Sequence, residues 1–210
     1  MMKALIYKDL LTLWKYLRNY LLMCVVFQVA SIAGEDFEFM RFYPLILVSS
    51  LPHTLLAYDE RSGWEKYALT LPIGRKKLVG SKYLVGLLLV AGSFLLAAVT
   101  GLVRSWREGI FDPFDYWFEL CVLLTLGVSV MSVALPMSFR LGTEKGRMAN
   151  MVCYGILGGA LVIAVLLGDK LGLSQISLNE WVIVPFLFIP AAVLPMSWAL
   201  SVRWYEKREF

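Results

Sequence analysis

Six separated runs of apolar residues constrain this chain more than any other feature of its sequence. A helix needs about 20 mostly apolar residues to cross a bilayer, and inside lipid such a segment satisfies its own backbone polar groups only as a helix. The alternating segments of a membrane β-barrel are absent from the sequence. The sequence therefore predicts an all-α, polytopic membrane protein with six transmembrane helices, at residues 20–33, 42–57, 83–103, 117–139, 148–168 and 181–202.

Composition and loop lengths agree with a chain embedded in a membrane. Hydrophobic residues make up 59% of the 210 residues, whereas soluble domains rarely exceed about half. The short loops leave no room for a soluble domain, so we expect residues 1–210 to form a single transmembrane domain. The small residues at 31–33 are typical of a signal-peptide cleavage site. The segment before that apolar run is too long for a simple charged leader, so we expect the first span to be retained.

The basic residues indicate how the spans are oriented. Sixteen of the 20 lie in the N-terminal segment, in the loops after spans two and four, and in the C-terminal segment. The opposite side holds only Arg41, Arg104, Arg107 and Lys170. Because cytoplasmic loops are enriched in Lys and Arg, we expect a multi-pass protein with both termini in the cytoplasm. The basic residues are spread over several short segments, which argues against a nucleic-acid-binding domain.

The N-terminal segment, residues 1–19, has the pattern of an amphipathic helix. Apolar side chains recur at helical spacing at Ile6, Leu10, Leu13, Trp14 and Leu17. The opposite face carries Lys8, Thr12, Lys15 and Asn19. This segregation is typical of a helix that lies in the membrane interface, which is the interpretation we favour. The alternative is that the segment simply extends the first span.

The longest polar segment, residues 58–82, contains a short helical pattern. Trp64, Tyr67, Ala68 and Leu71 recur on one face, and Pro72 ends the pattern because proline disfavours helical geometry in the residue before it. An isolated helix of this length is marginal in water, so it needs lipid or a partner to pack against. The segment is therefore either an interfacial loop or a docking helix for a cytoplasmic protein.

Small residues and thiols in the spans predict packing and no chemistry. Gly155 and Gly159 have the GxxxG spacing that lets two helices approach closely, either within the bundle or between two copies of the chain. The three cysteines, Cys24, Cys121 and Cys153, lack the spacing of metal ligands. We expect them to be buried free thiols.

Residues able to carry catalysis are few. His53 is the single histidine, so no metal-binding histidine pair can form. Residues 74–82 superficially suggest a phosphate-binding loop, but the spacing and the Ser-Lys order do not fit it. No span carries an acidic or basic residue near its middle, which argues against an ion-coupled transporter. His53 either has a structural role, which we favour, or lines a polar cavity.

The first cytoplasmic loop carries the most specific pattern in the chain. It reads Asp-Glu-Arg-Ser-Gly-Trp-Glu-Lys-Tyr at 59–67 and Leu-Pro-Ile-Gly-Arg-Lys-Lys at 71–77, followed by Lys-Tyr at 82–83. With the amphipathic N-terminal helix and the six spans, this pattern resembles the permease subunits of ABC-2 type ATP-binding-cassette transporters over essentially the whole chain. Within that family the chain is most similar to bacterial permeases that export amphipathic peptides, such as the phenol-soluble modulin exporters.

The resemblance implies a permease subunit of an ATP-driven exporter in the bacterial plasma membrane, for an amphipathic or lipophilic substrate and most plausibly a peptide. Two permease copies, identical or paralogous, would form the pathway within the membrane lipid. A separate ATPase subunit would bind ATP and Mg²⁺, so this chain would hold no catalytic, cofactor or metal site. The loop at 58–82 would couple the ATPase to the membrane through Glu60, Gly63, Trp64, Tyr67, Leu71, Pro72 and Arg75.

Two other classes of function are compatible with a chain of this composition. A membrane-embedded enzyme would need convergent polar residues within the spans, and the sequence offers few. A small membrane scaffold or immunity-type protein, with no transport of its own, is disfavoured only by the resemblance. A partner ATPase would separate the permease from the scaffold.

Overall fold

The fold is a bundle of helices, known here from a computed structural model that describes residues 2–32, 40–109, 111–152, 155 and 183–207. These residues contain no strand, in agreement with the all-α prediction. A further helical segment at residues 143–152, called here the 143–152 helix, follows α5 after Gly142. The labelled helices are α1 (Met2–Ala30), α2 (Phe42–Arg61), α3 (Trp64–Thr70), α4 (Arg75–Glu108), α5 (Pro113–Leu141) and α6 (Ile183–Glu206).

Three of the described helices have the length and apolarity needed to cross a membrane. They are α1, the segment Arg75–Arg107 of α4, and α5. The predicted second span lies within α2, which runs without a break through Pro52. Most of the predicted fifth span, and the first residues of the sixth, lie outside the described residues. The chain is thus a helical protein with candidate membrane spans, and the count of six stays a prediction.

The N-terminal segment is continuous with the first predicted span. Residues 2–30 form one continuous helix, so no boundary separates an interfacial helix at 1–19 from a span that begins at Tyr20. A continuous helix is compatible with the alternative, in which the segment extends the first span, and the interfacial position of residues 1–19 stays a prediction. Of the predicted apolar face, Leu13 and Leu17 are buried within the chain, whereas Trp14 is 69% exposed. The buried side chains of α1 are Leu5, Asp9, Leu13, Leu17, Cys24 and Gln28.

The ends of the helices follow local chemistry. The Asp112 carboxylate accepts hydrogen bonds from the backbone N–H groups of Phe114 and Asp115 at the start of α5, with Pro113 in the first turn. Gly63 separates α2 from α3 with φ +69°, in the left-handed region that glycine adopts without a steric penalty. Leu71 is extended before Pro72, as predicted. The α3 helix therefore follows a sharp turn at Gly63 and ends at the extended Leu71.

One end of the bundle gathers segments that are distant in sequence. Lys8 of α1 and Lys82 of α4 both reach Asp59 near the end of α2. The Arg75 guanidinium donates to the carbonyl oxygens of Tyr205 and Glu206, in the last turn of α6. The beginning of α1, the end of α2, α3, the beginning of α4 and the end of α6 therefore share one end. The sequence had assigned these same segments to one side of the membrane.

Candidate functional site

Four charged side chains from three helices meet beneath α3, and we call Lys8, Asp9, Asp59 and Lys82 the charge cluster. Lys82 Nζ donates to Asp9 Oδ1 at 2.7 Å and to Asp59 Oδ2 at 2.6 Å. Lys8 Nζ donates to Asp59 Oδ1 at 2.6 Å and lies 3.0 Å from Asp9 Oδ1. The side chains of Asp9, Asp59 and Lys82 are buried, and that of Lys8 is 26% exposed.

The cluster is internally balanced, with two formal positive and two formal negative charges. Removing an ion from water costs several kcal/mol unless close partners and hydrogen bonds compensate. Here each lysine contacts both aspartates, so every buried charge has an opposite charge within 3.0 Å. The arrangement ties α1, α2 and α4 together at one point, because its members come from all three helices. The loss of any one member would leave an uncompensated charge in the interior.

The α3 helix lies directly against the charge cluster. Lys8 Nζ lies 4.6 Å from the centre of the Trp64 ring, within the range of a cation–π contact. Glu65 and Ala68 face inward and line a small cavity together with the four charged residues. Ala68 is 1% exposed. The inner face of this short helix is thus seated on the point where three long helices are joined.

The outer face of α3 remains accessible and differs from the face that the sequence predicts. Tyr67 was expected to share a face with Ala68, yet Tyr67 is 56% exposed while Ala68 is buried. The inward direction is set by Ala68 and Glu65, and this places Lys66, Tyr67 and Thr70 on the outside. Trp64 is half-buried against Lys8, so its ring is engaged within the chain. Tyr67 is the large side chain that α3 offers outward.

Of the other residues predicted to contact an ATPase, some bind neighbouring helices and the others lie at the two ends of α3. The Glu60 carboxylate accepts from the backbone N–H and from the hydroxyl of Thr143, at 2.9 and 2.5 Å, where the 143–152 helix begins. Negative charge is favourable at a helix N-terminus. Arg75 binds the last carbonyl oxygens of α6. Gly63 and Pro72 are exposed on either side of α3, and Leu71 is half-buried. The structure thus brings the predicted residues together at one end.

The charge cluster itself was missed from the sequence. Its lysines were counted only as indicators of orientation, and its aspartates were not singled out. A signal was present, because Asp9 lies four residues after Leu5 and four before Leu13, on the buried stripe of α1. A carboxylate in register with an apolar stripe predicts a buried partner, since an unpaired charge there is costly.

The opposite end of the bundle holds a second buried ion pair, Arg41 and Glu119, called here the Arg41 pair. Arg41 Nη1 donates to Glu119 Oε2 at 2.6 Å, and Arg41 Nη2 donates to the Ala97 carbonyl oxygen at 3.4 Å. A Cβ atom on Gly101 would stand 2.3 Å from Arg41 Nη2. The missing side chain of Gly101 therefore makes room for the guanidinium against α4. Among the described residues, no helix comparable to α3 lies on this pair.

The remaining predicted residues have simpler surroundings. Gly155 is exposed and Gly159 lies outside the described residues, so the proposed role of this pair in helix packing stays a prediction. Cys24 and Cys121 are buried free thiols, as expected, and Cys153 lies outside the described residues. In the part of the chain that is described, no group of three or more His, Cys, Asp or Glu side chains could hold a metal ion.

Comparison with known proteins gives one finding. The family described as ABC-2 family transporter protein matches residues 4–206, which is nearly the whole chain. No curated protein and no solved structure matches the chain significantly.

Proposed function

This chain belongs to the ABC-2 family of transporter proteins, and on that premise we propose that it is an exporter permease whose α3 couples an ATPase to the membrane helices. Family membership makes the chain a membrane component of an ABC transporter, and it implies partnership with an ABC ATPase subunit. The proposal goes further in naming the element that transmits the work of ATP hydrolysis.

The observation that carries the proposal is the position of α3 between an accessible surface and a buried joint. Its outer face presents Tyr67, which is 56% exposed, beside the basic residues at 75–77. Its inner face rests on the charge cluster, which joins α1, α2 and α4. A push on the outer face would therefore reach three long helices through contacts shorter than 5 Å. A short helix with an exposed aromatic residue suits a groove on a soluble partner.

The remaining parts of the proposal follow the resemblance. The ATPase would bind ATP and Mg²⁺ at the cytoplasmic end of the bundle, where α3 and both ends of the chain gather. A second permease copy, identical or paralogous, would complete the pathway in the plasma membrane. The substrate would be an amphipathic molecule such as a membrane-active peptide, because apolar helices suit such a substrate better than a hydrophilic ion. The likeness to phenol-soluble modulin exporters supports the same class.

The test is to purify the tagged chain in mild detergent, identify the ATPase that co-purifies, and reconstitute both in liposomes. We expect Tyr67→Asp to leave the permease folded, to weaken ATPase recovery at least tenfold and to abolish substrate-stimulated hydrolysis. Trp106→Asp is the matched control, because Trp106 is an aromatic residue that is 87% exposed near the end of α4, at the other end of the bundle. Equal ATPase recovery and stimulation in both variants would contradict the role of α3. Failure to recover any ATPase after crosslinking would favour a scaffold.

A further inference from the structure

A cavity of about 400 Å³ lies away from α3, between α1, α2, α5 and the 143–152 helix. Its volume is in the range of pockets that bind small molecules. Its wall combines apolar side chains with polar ones, and the polar ones include Tyr20, His53, Arg147 and Asn150. Neither the charge cluster nor α3 contributes to it. The cavity is therefore a separate site within the bundle.

His53 presents a hydrogen-bond acceptor in this cavity. Ser138 Oγ donates its single proton to the Ala134 carbonyl oxygen at 2.6 Å. With that proton committed to the carbonyl, His53 Nδ1, at 2.5 Å from Ser138 Oγ, is assigned as the donor of that contact. A neutral imidazole protonated at Nδ1 carries a lone pair on Nε2. His53 is 7% exposed, and its Nε2 has no hydrogen-bond partner among the described residues.

Asn150 presents a second acceptor in the same cavity. Its Nδ2 donates to the Ala134 carbonyl oxygen at 3.4 Å, which orients the amide. Its Oδ1 is buried and has no hydrogen-bond partner within the described part of the chain, and the residue is 4% exposed. Buried polar atoms normally find partners. Two orphaned acceptors in one cavity point to an occupant that donates two hydrogen bonds.

Arg147 adds a positive charge at the mouth of the cavity. It is exposed and lies one turn before Asn150 on the 143–152 helix. Tyr20 and Met151 also line the cavity and are 48% and 66% exposed, so the opening lies between α1 and this helix. Beyond Tyr20, α1 continues with exposed apolar side chains at Leu22, Met23, Val25, Val26 and Val29. An occupant can therefore be anionic at the mouth and apolar along α1.

We propose that this cavity binds the headgroup of an anionic phospholipid that carries two hydroxyl groups, as phosphatidylglycerol does. The phosphate pairs with Arg147, and the two glycerol hydroxyls donate to His53 Nε2 and Asn150 Oδ1. The acyl chains lie along the exposed apolar side of α1. Basic pockets between membrane helices are known to accept lipid headgroups, and a chain of this family is always surrounded by lipid. The site does not depend on the proposed role of α3.

The experiment measures lipid binding to the purified chain by native mass spectrometry. Three phospholipids with identical acyl chains separate the contribution of the positive charge of Arg147 from that of the two hydrogen-bond acceptors, His53 Nε2 and Asn150 Oδ1. Phosphatidylglycerol has the charge and both hydroxyls, phosphatidylmethanol has the same charge without them, and phosphatidylcholine has neither a net charge nor hydroxyls. We expect phosphatidylglycerol to bind about tenfold more tightly than phosphatidylmethanol, because two hydrogen bonds are lost. We expect phosphatidylcholine to bind more weakly still.

Variants assign each half of the site. Arg147→Gln should weaken both anionic lipids about fivefold, while Lys145→Gln, an exposed cation outside the cavity wall, should change binding less than twofold. Asn150→Leu should weaken phosphatidylglycerol and leave phosphatidylmethanol unchanged. Equal binding of the three lipids, or equal effects of Arg147→Gln and Lys145→Gln, would overturn the proposal. An amphipathic peptide that displaces phosphatidylglycerol and binds more tightly would assign the cavity to peptide instead, and would overturn it too.

Discussion

The charge cluster and the Arg41 pair both bury ions in a largely apolar bundle, yet they are built differently. The cluster joins side chains from three helices, and each lysine contacts two carboxylates. The Arg41 pair joins one arginine to one glutamate, and the guanidinium also donates to the Ala97 carbonyl oxygen and occupies the space above Gly101. Among the described residues, the cluster lies under a short helix with an outward aromatic residue, and no comparable helix lies on the Arg41 pair. Under the proposed function, the cluster would act as a mechanical joint, whereas the Arg41 pair would serve local stability.

The largest loss of stability is expected from a change in the charge cluster. Lys82→Met leaves Asp9 and Asp59 with Lys8 alone, and we expect it to lower the free energy of unfolding by about 3–5 kcal/mol. Coupling to the ATPase should fall as well, because the joint beneath α3 is broken. Unfolding in mixed micelles and substrate-stimulated hydrolysis measure the two effects. Lys77→Met, an exposed neighbour on α4, is the matched control, and an equal loss in both variants would contradict the role of the cluster.

An intermediate effect is expected at the opposite end. Gly101→Ala places a Cβ 2.3 Å from Arg41 Nη2, and displacing the guanidinium should cost about 1–3 kcal/mol of unfolding free energy. Coupling should be unchanged in the protein that remains folded. Gly92→Ala on the same helix meets no atom within 4 Å, so it should stabilise α4 by about 0.5–1 kcal/mol. If Gly101→Ala abolished stimulation of the ATPase at full stability, the two ends would not differ in function.

The smallest loss of stability is expected from a change in the contact between α3 and the charge cluster. Trp64→Leu keeps an apolar side chain but removes the cation–π contact with Lys8, which should cost about 0.5–1 kcal/mol. We expect coupling to fall far more than stability, because the contact lies between α3 and the joint. Hydrolysis assayed at matched protein stability measures this. Unchanged stimulation would mean that α3 acts through other contacts.

Within the described residues, the predicted spans at 42–57, 83–103 and 117–139 each lie inside one helix, because apolar run length and breaker residues act locally. The short helix at Trp64–Thr70 and its end before Pro72 follow from spacing and backbone sterics alone. Its inward face could not be predicted in the same way. That face depends on Ala68 and Glu65 fitting over Lys8 and Asp59. Lys8 lies 51 residues before Asp59 in the sequence, so local spacing does not show that the two side chains meet under α3.

The buried face of the N-terminal helix could not be predicted from local sequence either. A division into an apolar and a basic face favoured an interfacial helix, since isolated amphipathic helices lie on membranes. The observed helix buries a stripe that includes Asp9, because Lys82 of α4 neutralises that carboxylate. Pairing over 73 residues of sequence leaves no local trace except a carboxylate in apolar register. Such a residue is the sign to look for in similar chains.

The charge balance of the cluster has a consequence for energetics across an energised membrane. Moving one elementary charge through the transmembrane voltage involves about 2.3 kcal/mol per 100 mV. The cluster holds two lysines and two aspartates, so its four charges cancel, and the buried Glu65 carboxylate of α3 beside it adds at most one formal negative charge. A stroke transmitted by α3 would then do almost no electrical work. The voltage across the membrane would then have little influence on that stroke.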